Sequence, residues 1–153
     1  RFTKDKSPYK TNMGIWMSSG NKNTNLAGYY VHIEPGASFI AGGIHWPDAA
    51  DLKKMRREID GFHEDLEAIV EDSAFKKTYG ALDRDENNSL KSMPKGYDKE
   101  HPAIDFLKLK SFTATAKLDD KVVTGKDFVK ETSKKLLVLK PLVEFINRAL
   151  TTD

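Results

Sequence analysis

The densest group of chemically active side chains lies in the first ten residues. Arg1 supplies a guanidinium fork, and Lys6 and Lys10 supply two ammonium groups. Tyr9 adds a phenol, and Asp5, which these cations keep ionised, is better suited to stabilise charge than to donate a proton. Guanidinium and ammonium groups bind phosphates and carboxylates through charge-assisted hydrogen bonds. The segment therefore predicts a site for a small anion, with a solvated tail of weak surface ion pairs as the alternative.

His101 is the second candidate, because a histidine can gain or lose a proton near neutral pH. Pro102 predicts the start of a short helix that runs through Leu107. The exposed N–H groups of such a helix start favour an anion, and the histidine can equally serve as the cap of the helix. Both alternatives stay open. His32 and His45 are interpreted as structural histidines.

Two segments resemble metal sites without completing them. His63 begins a segment like the zinc-protease helix, but Glu67 stands where the second histidine is required. Asp83 and Asp85 have the spacing that opens a calcium loop, yet Pro94 occupies the closing position and cannot ligate through its side chain. We therefore expect no metal site, and the residues indicate no particular cofactor.

Composition narrows the classes of partner. The chain has 153 residues, with 25 basic and 23 acidic side chains and a net charge of +2. A basic excess this small makes a nucleic-acid partner less favoured than a small anion. The chain has no cysteine, which excludes disulfides and thiolate chemistry and predicts a reducing compartment, the cytoplasm. No apolar run reaches the ~20 residues of a membrane span, so we expect no membrane partner. The oligomeric state is not indicated.

The elements that must position these groups begin with an antiparallel meander. Period-two alternation predicts three strands, over residues 13–18, 28–34 and 38–44. Pro35-Gly36 predicts the turn between the second and third strands. Gly42-Gly43 marks a bulge or a close approach of another backbone. A later strand over 110–117 joins this sheet, and Val122 and Val123 extend it or pair with it.

Helices follow the meander and close the chain. Helical spacing predicts a helix from Pro47 that ends at Gly61, a second from Phe62 to Val70, and a short one over 73–79. Thr124 and Asp127 predict a capping box before a long closing helix over 128–150, which Pro141 kinks or restarts. The sequence thus predicts one α+β domain over residues 1–153, with an antiparallel sheet packed against helices.

Three ordered motifs carry a family resemblance. They are Arg1-Phe-Thr-Lys-Asp-Lys-Ser-Pro-Tyr-Lys10, then Gly28-Tyr-Tyr-Val-His-Ile-Glu-Pro-Gly36 leading to Gly42-Gly43, then Lys95-Gly-Tyr-Asp-Lys-Glu-His-Pro102 through Leu107-Lys-Leu-Lys110. On these motifs the chain resembles a conserved-hypothetical family, the domain of unknown function numbered twenty-four sixty-one. Members usually carry a helical segment before the first motif, so the resemblance implies a chain truncated at its N-terminus.

The resemblance implies a shared pattern of residues and no specific reaction. The matching positions are Arg1, Asp5, Lys6, Tyr9, Lys10, Tyr29, Gly42, Gly43, Lys95, His101, Lys108 and Lys110. Charged residues at such positions suit a pocket, and they equally suit a salt-bridge network that stabilises the fold.

These observations give two functional hypotheses. The first is a protein that binds an anionic small molecule, with Arg1, Lys6 and Lys10 holding the anion, Tyr9 orienting it, and His101 or Asp5 as proton carrier. Lys110 joins this site through the family pattern. The alternative is a module for nucleic-acid or protein interaction, in which the charged residues are structural and no catalysis occurs. Whether the protein is an enzyme is left open.

Overall fold

The computed structural model describes residues 11–20 and 25–152. The described residues form four strands and six helices, in the order β1 (Met13–Ser18), β2 (Gly28–Ile33), β3 (Phe39–Ile44), α1 (Ala49–Glu71), α2 (Ser73–Tyr79), α3 (Ile104–Leu107), β4 (Phe112–Lys117), α4 (Asp120–Val123), α5 (Phe128–Leu137) and α6 (Lys140–Thr151). The predicted α+β class is confirmed.

The sheet has the strand order β1-β2-β3-β4, and every neighbouring pair is antiparallel. The predicted meander is therefore confirmed, and β4 joins it on β3 after the first helices. At the predicted turn, Gly36 has a φ of 76°, a conformation that glycine adopts at little cost. Its N–H donates to Asp120 at 3.0 Å, which ties the turn to α4.

The two faces of the sheet differ in what covers them. On the inner face Val31, Ile40 and Ala114 are buried, with α5 and α6 against β3 and α2 against β4, while α1 packs on α6. Gly42 permits this close packing, because a Cβ there would lie 2.6 Å from Cδ1 of Leu139. The predicted close approach of another backbone is confirmed at Gly43, where a Cβ would overlap the carbonyl group of Phe112. The outer face carries none of the described helices.

Helix α1 begins later than predicted, and it is interrupted where the sequence predicts a break. It starts after Pro47, with Asp48 as the N-cap whose carboxylate accepts the N–H of Asp51 at 2.8 Å. The predicted break between Gly61 and Phe62 is confirmed as a kink: Phe62 has a non-helical φ of −135° and ψ of 34°, and helical structure then continues to Glu71.

A long-range contact joins the two halves of α1 across the kink. Arg148 of α6 contacts Glu58 before the kink at 2.6 Å and Asp65 after it at 3.0 Å. Its guanidinium also lies 5.0 Å from the ring centre of Phe62. One side chain of α6 thus holds both halves of α1.

The short elements bring further corrections. Val122 and Val123 do not extend the sheet, because Asp119 caps a helical turn there by accepting the N–H of Lys121. The predicted capping box is also wrong: Thr124 donates to the carbonyl of Asp120 at 2.9 Å, and Asp127 makes no side-chain capping bond.

The C-terminal helix agrees with the prediction. It consists of α5 and α6 in succession, and Pro141 lies in the first turn of α6, where its missing N–H costs nothing. Within residues 11–20 and 25–152, no helix has both the length and the apolar character needed to cross a membrane.

Candidate functional site

The residues predicted to form a site fall into three groups. Arg1, Asp5, Lys6, Tyr9 and Lys10 lie outside the described residues. His101 and Lys110 are described, and each lies in different surroundings, so each forms a group of its own.

His101 lies before α3 and contacts the middle of α1. Its Nε2 is 2.7 Å from Oδ1 of Asp60, and its Nδ1 accepts the N–H of Ala103 at 3.0 Å. A backbone N–H can only donate, so Nδ1 carries no proton and Nε2 must donate to Asp60. Both ring nitrogens are therefore engaged in joining α1 to the start of α3. The helix itself begins at Ile104, later than predicted, with Ala103 as its N-cap.

A polar cluster surrounds His101. The rings of His63 and Tyr97 lie 5.7 Å and 6.4 Å from its ring centre, and Nε of Arg56 donates to the carbonyl of Leu107 at 2.9 Å. Burial raises the pKa of the Tyr97 phenol, and the negative charge of Asp60 adds to this. Among the described residues, Nη2 of Arg56 and Nδ1 of His63 are buried without a hydrogen-bond partner.

Lys110 lies near the end of β3. Its Nζ is 5.7 Å from the ring centre of Trp46, a cation–π distance. Trp46 has a φ of 49°, a left-handed conformation that costs a non-glycine residue energy and often marks a functional position. Ser111 holds it there by accepting the Trp46 N–H at 3.2 Å.

A cavity of about 420 Å³ opens on the outer face of the sheet. Its floor is β3, where Ala41, Gly42 and Gly43 have small or no side chains. Its walls are larger groups from neighbouring strands and loops: Trp16, Tyr30, Phe39, His45, Asp83, Thr113 and Thr115. The pairing register explains the shape, because Ala41 lies opposite Tyr30 on one side and Thr115 on the other. A small residue between two larger ones leaves a depression in the sheet surface.

One wall of the cavity is polar. Oδ2 of Asp83 accepts hydrogen bonds from the hydroxyls of Thr113 at 2.9 Å and Thr115 at 2.6 Å. The N–H of Asp83 also donates to the carbonyl of Thr113 at 2.8 Å, which fixes the loop along β4. The opposite wall is aromatic, and Trp16 leaves 53% of its surface exposed.

The aromatic wall continues into a chain of hydrogen bonds along β2. The hydroxyl of Tyr30 lies 3.1 Å from Nδ1 of His32, and Nε2 of His32 lies 3.1 Å from Oε2 of Glu34. The ring of His32 stacks on Phe39 with centres 4.7 Å apart. The sequence predicts a structural role for His32, although the alternation of His32 with Tyr30 and Glu34 already indicates that all three lie on one face. That alternation was the signal for this group.

Another cavity lies on the helical side of the sheet. It measures about 300 Å³ between β1, β2 and α6 and includes Tyr29 and Glu144. Burial raises the pKa of the Tyr29 phenol, as does the charge of Glu144. Across residues 11–20 and 25–152, no group of three or more histidine, aspartate and glutamate side chains is arranged to hold a metal ion.

Comparison with known proteins gives one family. The family model described as "Conserved hypothetical protein (DUF2461)" matches residues 1–145. No curated protein and no solved structure matches the chain.

Proposed function

The chain belongs to this family, and we propose that it binds a small molecule with an apolar, planar part and an anionic group. The apolar part occupies the cavity on the outer face of the sheet. Arg1, Lys6 and Lys10 hold the anionic group, and Tyr9 orients it. The observation that carries this proposal is the concave, aromatic-walled cavity on a face that none of the described helices covers.

The dimensions and the chemistry of the cavity support a small ligand. A volume of about 420 Å³ falls within the range of roughly 300–1,000 Å³ that small-molecule sites occupy. Trp16, Tyr30 and Phe39 offer flat apolar surfaces on which a planar group can stack. Asp83 and its two threonine partners add a polar wall that can accept or donate hydrogen bonds.

The charges around the cavity support a position at its rim for the anionic group of the ligand. Asp83 would repel an anion placed deep in the cavity, so the anionic group belongs at the rim. Lys10 precedes Met13, the first residue of β1, by three positions, a chain reach of about 10 Å. The strand that follows the basic segment is also the strand that supplies Trp16 to the cavity wall.

The part of His101 in ligand binding stays a prediction. Its hydrogen bonds to Asp60 and Ala103 favour a structural role, while the unpaired nitrogens of Arg56 and His63 nearby are donors or acceptors that a ligand could satisfy. The cytoplasmic location and the single domain over residues 1–153 likewise stay predictions.

A thermal-shift screen on the full chain tests the proposal. The panel contains aryl phosphates, aromatic carboxylates, their uncharged analogues and inorganic phosphate. A ligand at a hundredfold excess over its Kd stabilises the folded state by about 2.7 kcal/mol, which raises the Tm by several degrees. We expect aromatic anions to raise the Tm more than either phosphate alone or the uncharged analogues.

Matched variants assign the shift to the cavity and to the cations. Ala41→Leu fills the cavity floor and should abolish the shift, whereas Ala68→Leu, on the exposed surface of α1, should leave it intact. Lys6→Ala and Lys10→Ala should reduce it, whereas Lys126→Ala, an exposed loop lysine, should not. A shift that survives Ala41→Leu at full size contradicts binding in this cavity.

One observation favours a second candidate function. Trp16 and Trp46 are both about half exposed, and aromatic side chains beside cations are what single-stranded nucleic acids stack on. Fluorescence anisotropy with a mixed single-stranded oligonucleotide separates the two candidates. Affinity that falls steeply with salt and is lost in Trp16→Ala would favour the nucleic acid, and absence of binding at low salt would exclude it.

A further inference from the structure

Three polar side chains on β2 form a continuous hydrogen-bonded chain that ends at the cavity. Tyr30, His32 and Glu34 follow one another at every second position, and this spacing places them on the outer face of one strand. The phenol–imidazole distance and the imidazole–carboxylate distance are both 3.1 Å. Only Tyr30 lines the cavity, so the chain leads from the cavity wall to a carboxylate at the end of the strand.

The hydrogen-bond inventory fixes the direction of each bond. A carboxylate oxygen accepts only, so Nε2 of His32 carries the proton and donates it to Glu34. In the neutral imidazole Nδ1 then has a free lone pair, and it accepts a hydrogen bond from the Tyr30 hydroxyl. The Glu34 carboxylate therefore orients the His32 imidazole, and this imidazole is placed to take a proton from the Tyr30 hydroxyl. Catalytic triads use the same arrangement of a carboxylate, an imidazole and a hydroxyl group.

The groups are also held in position. Stacking on Phe39 fixes the plane of the His32 ring, with the two rings inclined by 20°. Gly14 of the neighbouring strand makes room for the phenol, because a Cβ at that position would lie 2.4 Å from the Tyr30 hydroxyl. Such packing pre-organises the phenol.

Tyr79 provides the contrast within the same chain. Its hydroxyl donates to the carbonyl of Lys135 at 2.6 Å, and a carbonyl oxygen cannot take up the proton at neutral pH. Tyr79 is also buried on the helical side. Tyr30 differs in both respects: its hydroxyl is paired with a base, His32, and Tyr30 itself lines the cavity.

We propose that Tyr30 is an acid–base group acting on the molecule bound in the cavity, with His32 as its proton partner and Glu34 as the residue that positions His32. The proposal deepens the proposed function and rests on it, since the substrate is the ligand of the same cavity. In the forward step the Tyr30 oxygen takes a proton from the ligand while its own proton moves to Nδ1 of His32. The bond between the ligand and its proton breaks as a new O–H bond forms at Tyr30, and the original O–H bond of Tyr30 breaks as an N–H bond forms at His32. Glu34 stabilises the resulting imidazolium.

The test uses benzenesulfonyl fluoride on the full chain, so it needs no knowledge of the natural ligand. In this reaction the Tyr30 oxygen forms a bond to sulfur, the sulfur–fluorine bond breaks, fluoride leaves with the electron pair, and the phenolic proton goes to His32. Peptide mass spectrometry over time measures labelling at each tyrosine. We expect Tyr30 to be labelled at least tenfold faster than Tyr29 and Tyr97, the other two partly exposed tyrosines of the described chain.

Variants separate a proton partner from a merely structural neighbour. His32→Gln should slow labelling of Tyr30 at least tenfold, in line with the 10²–10⁴-fold that general bases contribute. Tyr30→Phe confirms the labelled position, and labelling of Tyr97 serves as the internal reference in every variant. If His32→Gln does not fold by circular dichroism, Glu34→Gln carries the same test, with a smaller decrease expected.

Two outcomes overturn the inference: labelling of Tyr30 no faster than that of Tyr97, or an equal rate at Tyr30 when His32 or Glu34 is replaced. Either result leaves the thermal-shift outcome untouched, so failure of this inference is distinguishable from failure of ligand binding. Conversely, His32-dependent labelling without any ligand-induced change in Tm would support the acid–base pair and count against the proposed ligand class.

Discussion

The two faces of the sheet are formed by the same strands, but one face is packed into the core and the other lines an open cavity. On the inner face, Val31 and Ile40 are buried beneath helices, and the packing is so close that a Cβ at Gly42 would overlap Leu139. On the outer face, Tyr30 and Ala41 belong to the same strands, yet they line an open cavity. The inner face is organised by burial of apolar surface. The outer face is organised by hydrogen bonds and ring stacking.

This difference shows where function can reside in a small α+β fold. Substitutions on the inner face are expected to change stability first, because the core tolerates neither cavities nor overpacking. Substitutions on the outer face are expected to change binding with little cost in stability. The following predictions test this separation, starting with the largest expected effect.

Gly43→Ala should destabilise the whole sheet and disrupt both of its faces. A Cβ at Gly43 would lie 2.0 Å from the carbonyl oxygen of Phe112, and the glycine has a φ of 118°. Backbone displacement and an unfavourable conformation together should lower the free energy of unfolding by about 3 kcal/mol or more. Urea unfolding measures this loss.

Gly36→Ala is the matched control for Gly43→Ala. Gly36 also has a positive φ, but nothing lies within 4 Å of a Cβ built there. Only the conformational cost remains, about 1 kcal/mol. Equal losses in the two variants would contradict the close approach of β3 and β4 at Gly43.

Arg148→Ala should weaken the helical side alone. The substitution leaves the buried carboxylate of Glu58 without its partner and releases the contact across the kink of α1. Because Arg148 is itself about half exposed, we expect a loss of about 2 kcal/mol, below the 3–5 kcal/mol of a fully buried pair. Lys140→Ala, which removes an exposed contact to Glu144, should cost under about 0.5 kcal/mol. A change in ligand affinity without a change in stability would contradict the assignment of Arg148 to the fold.

Tyr79→Phe should reveal an alkaline limit to the stability of the helical side. Burial raises the pKa of the Tyr79 phenol, and the nearby Tyr29 adds to the effect. A phenol whose pKa is raised by folding contributes stability that is present below its unfolded pKa of about 10 and is lost as the pH rises through the folded value. The wild type should therefore lose stability above pH ~10, and Tyr79→Phe should lose less over the same range. At neutral pH the variant should be about 1 kcal/mol less stable. Identical alkaline slopes in the two proteins would show that Tyr79 is not the cause.

Local patterns predicted most of the fold. Alternation along Gly28 to Glu34 predicted both the strand and the two sets of side chains, and Gly42-Gly43 predicted a close approach that the structure contains. Pro141 predicted the division between α5 and α6. These features depend on a few neighbouring residues, so the sequence alone is enough to identify them.

Long-range contacts account for what the sequence did not predict. The break of α1 after Gly61 was predicted, but the contacts of Arg148, far along the chain, that join the two halves of α1 were not. Asp83 belongs to an incomplete calcium motif, yet it reaches the cavity because its backbone pairs with Thr113. The cavity itself depends on Ala41 lying between Tyr30 and Thr115 in the register of three strands. No single segment contains that information.

Chemical-shift mapping by NMR tests the central claim most directly. Phenyl phosphate is titrated into the labelled full chain, and the amide shifts are followed for the outer face and for the His101 cluster. We predict saturable shifts concentrated at Tyr30, Ala41, Asp83 and Thr115, and their loss in Ala41→Leu. Shifts confined to Asp60, Tyr97 and His101, or no saturable shift at millimolar ligand, would contradict a binding site on the open face of the sheet.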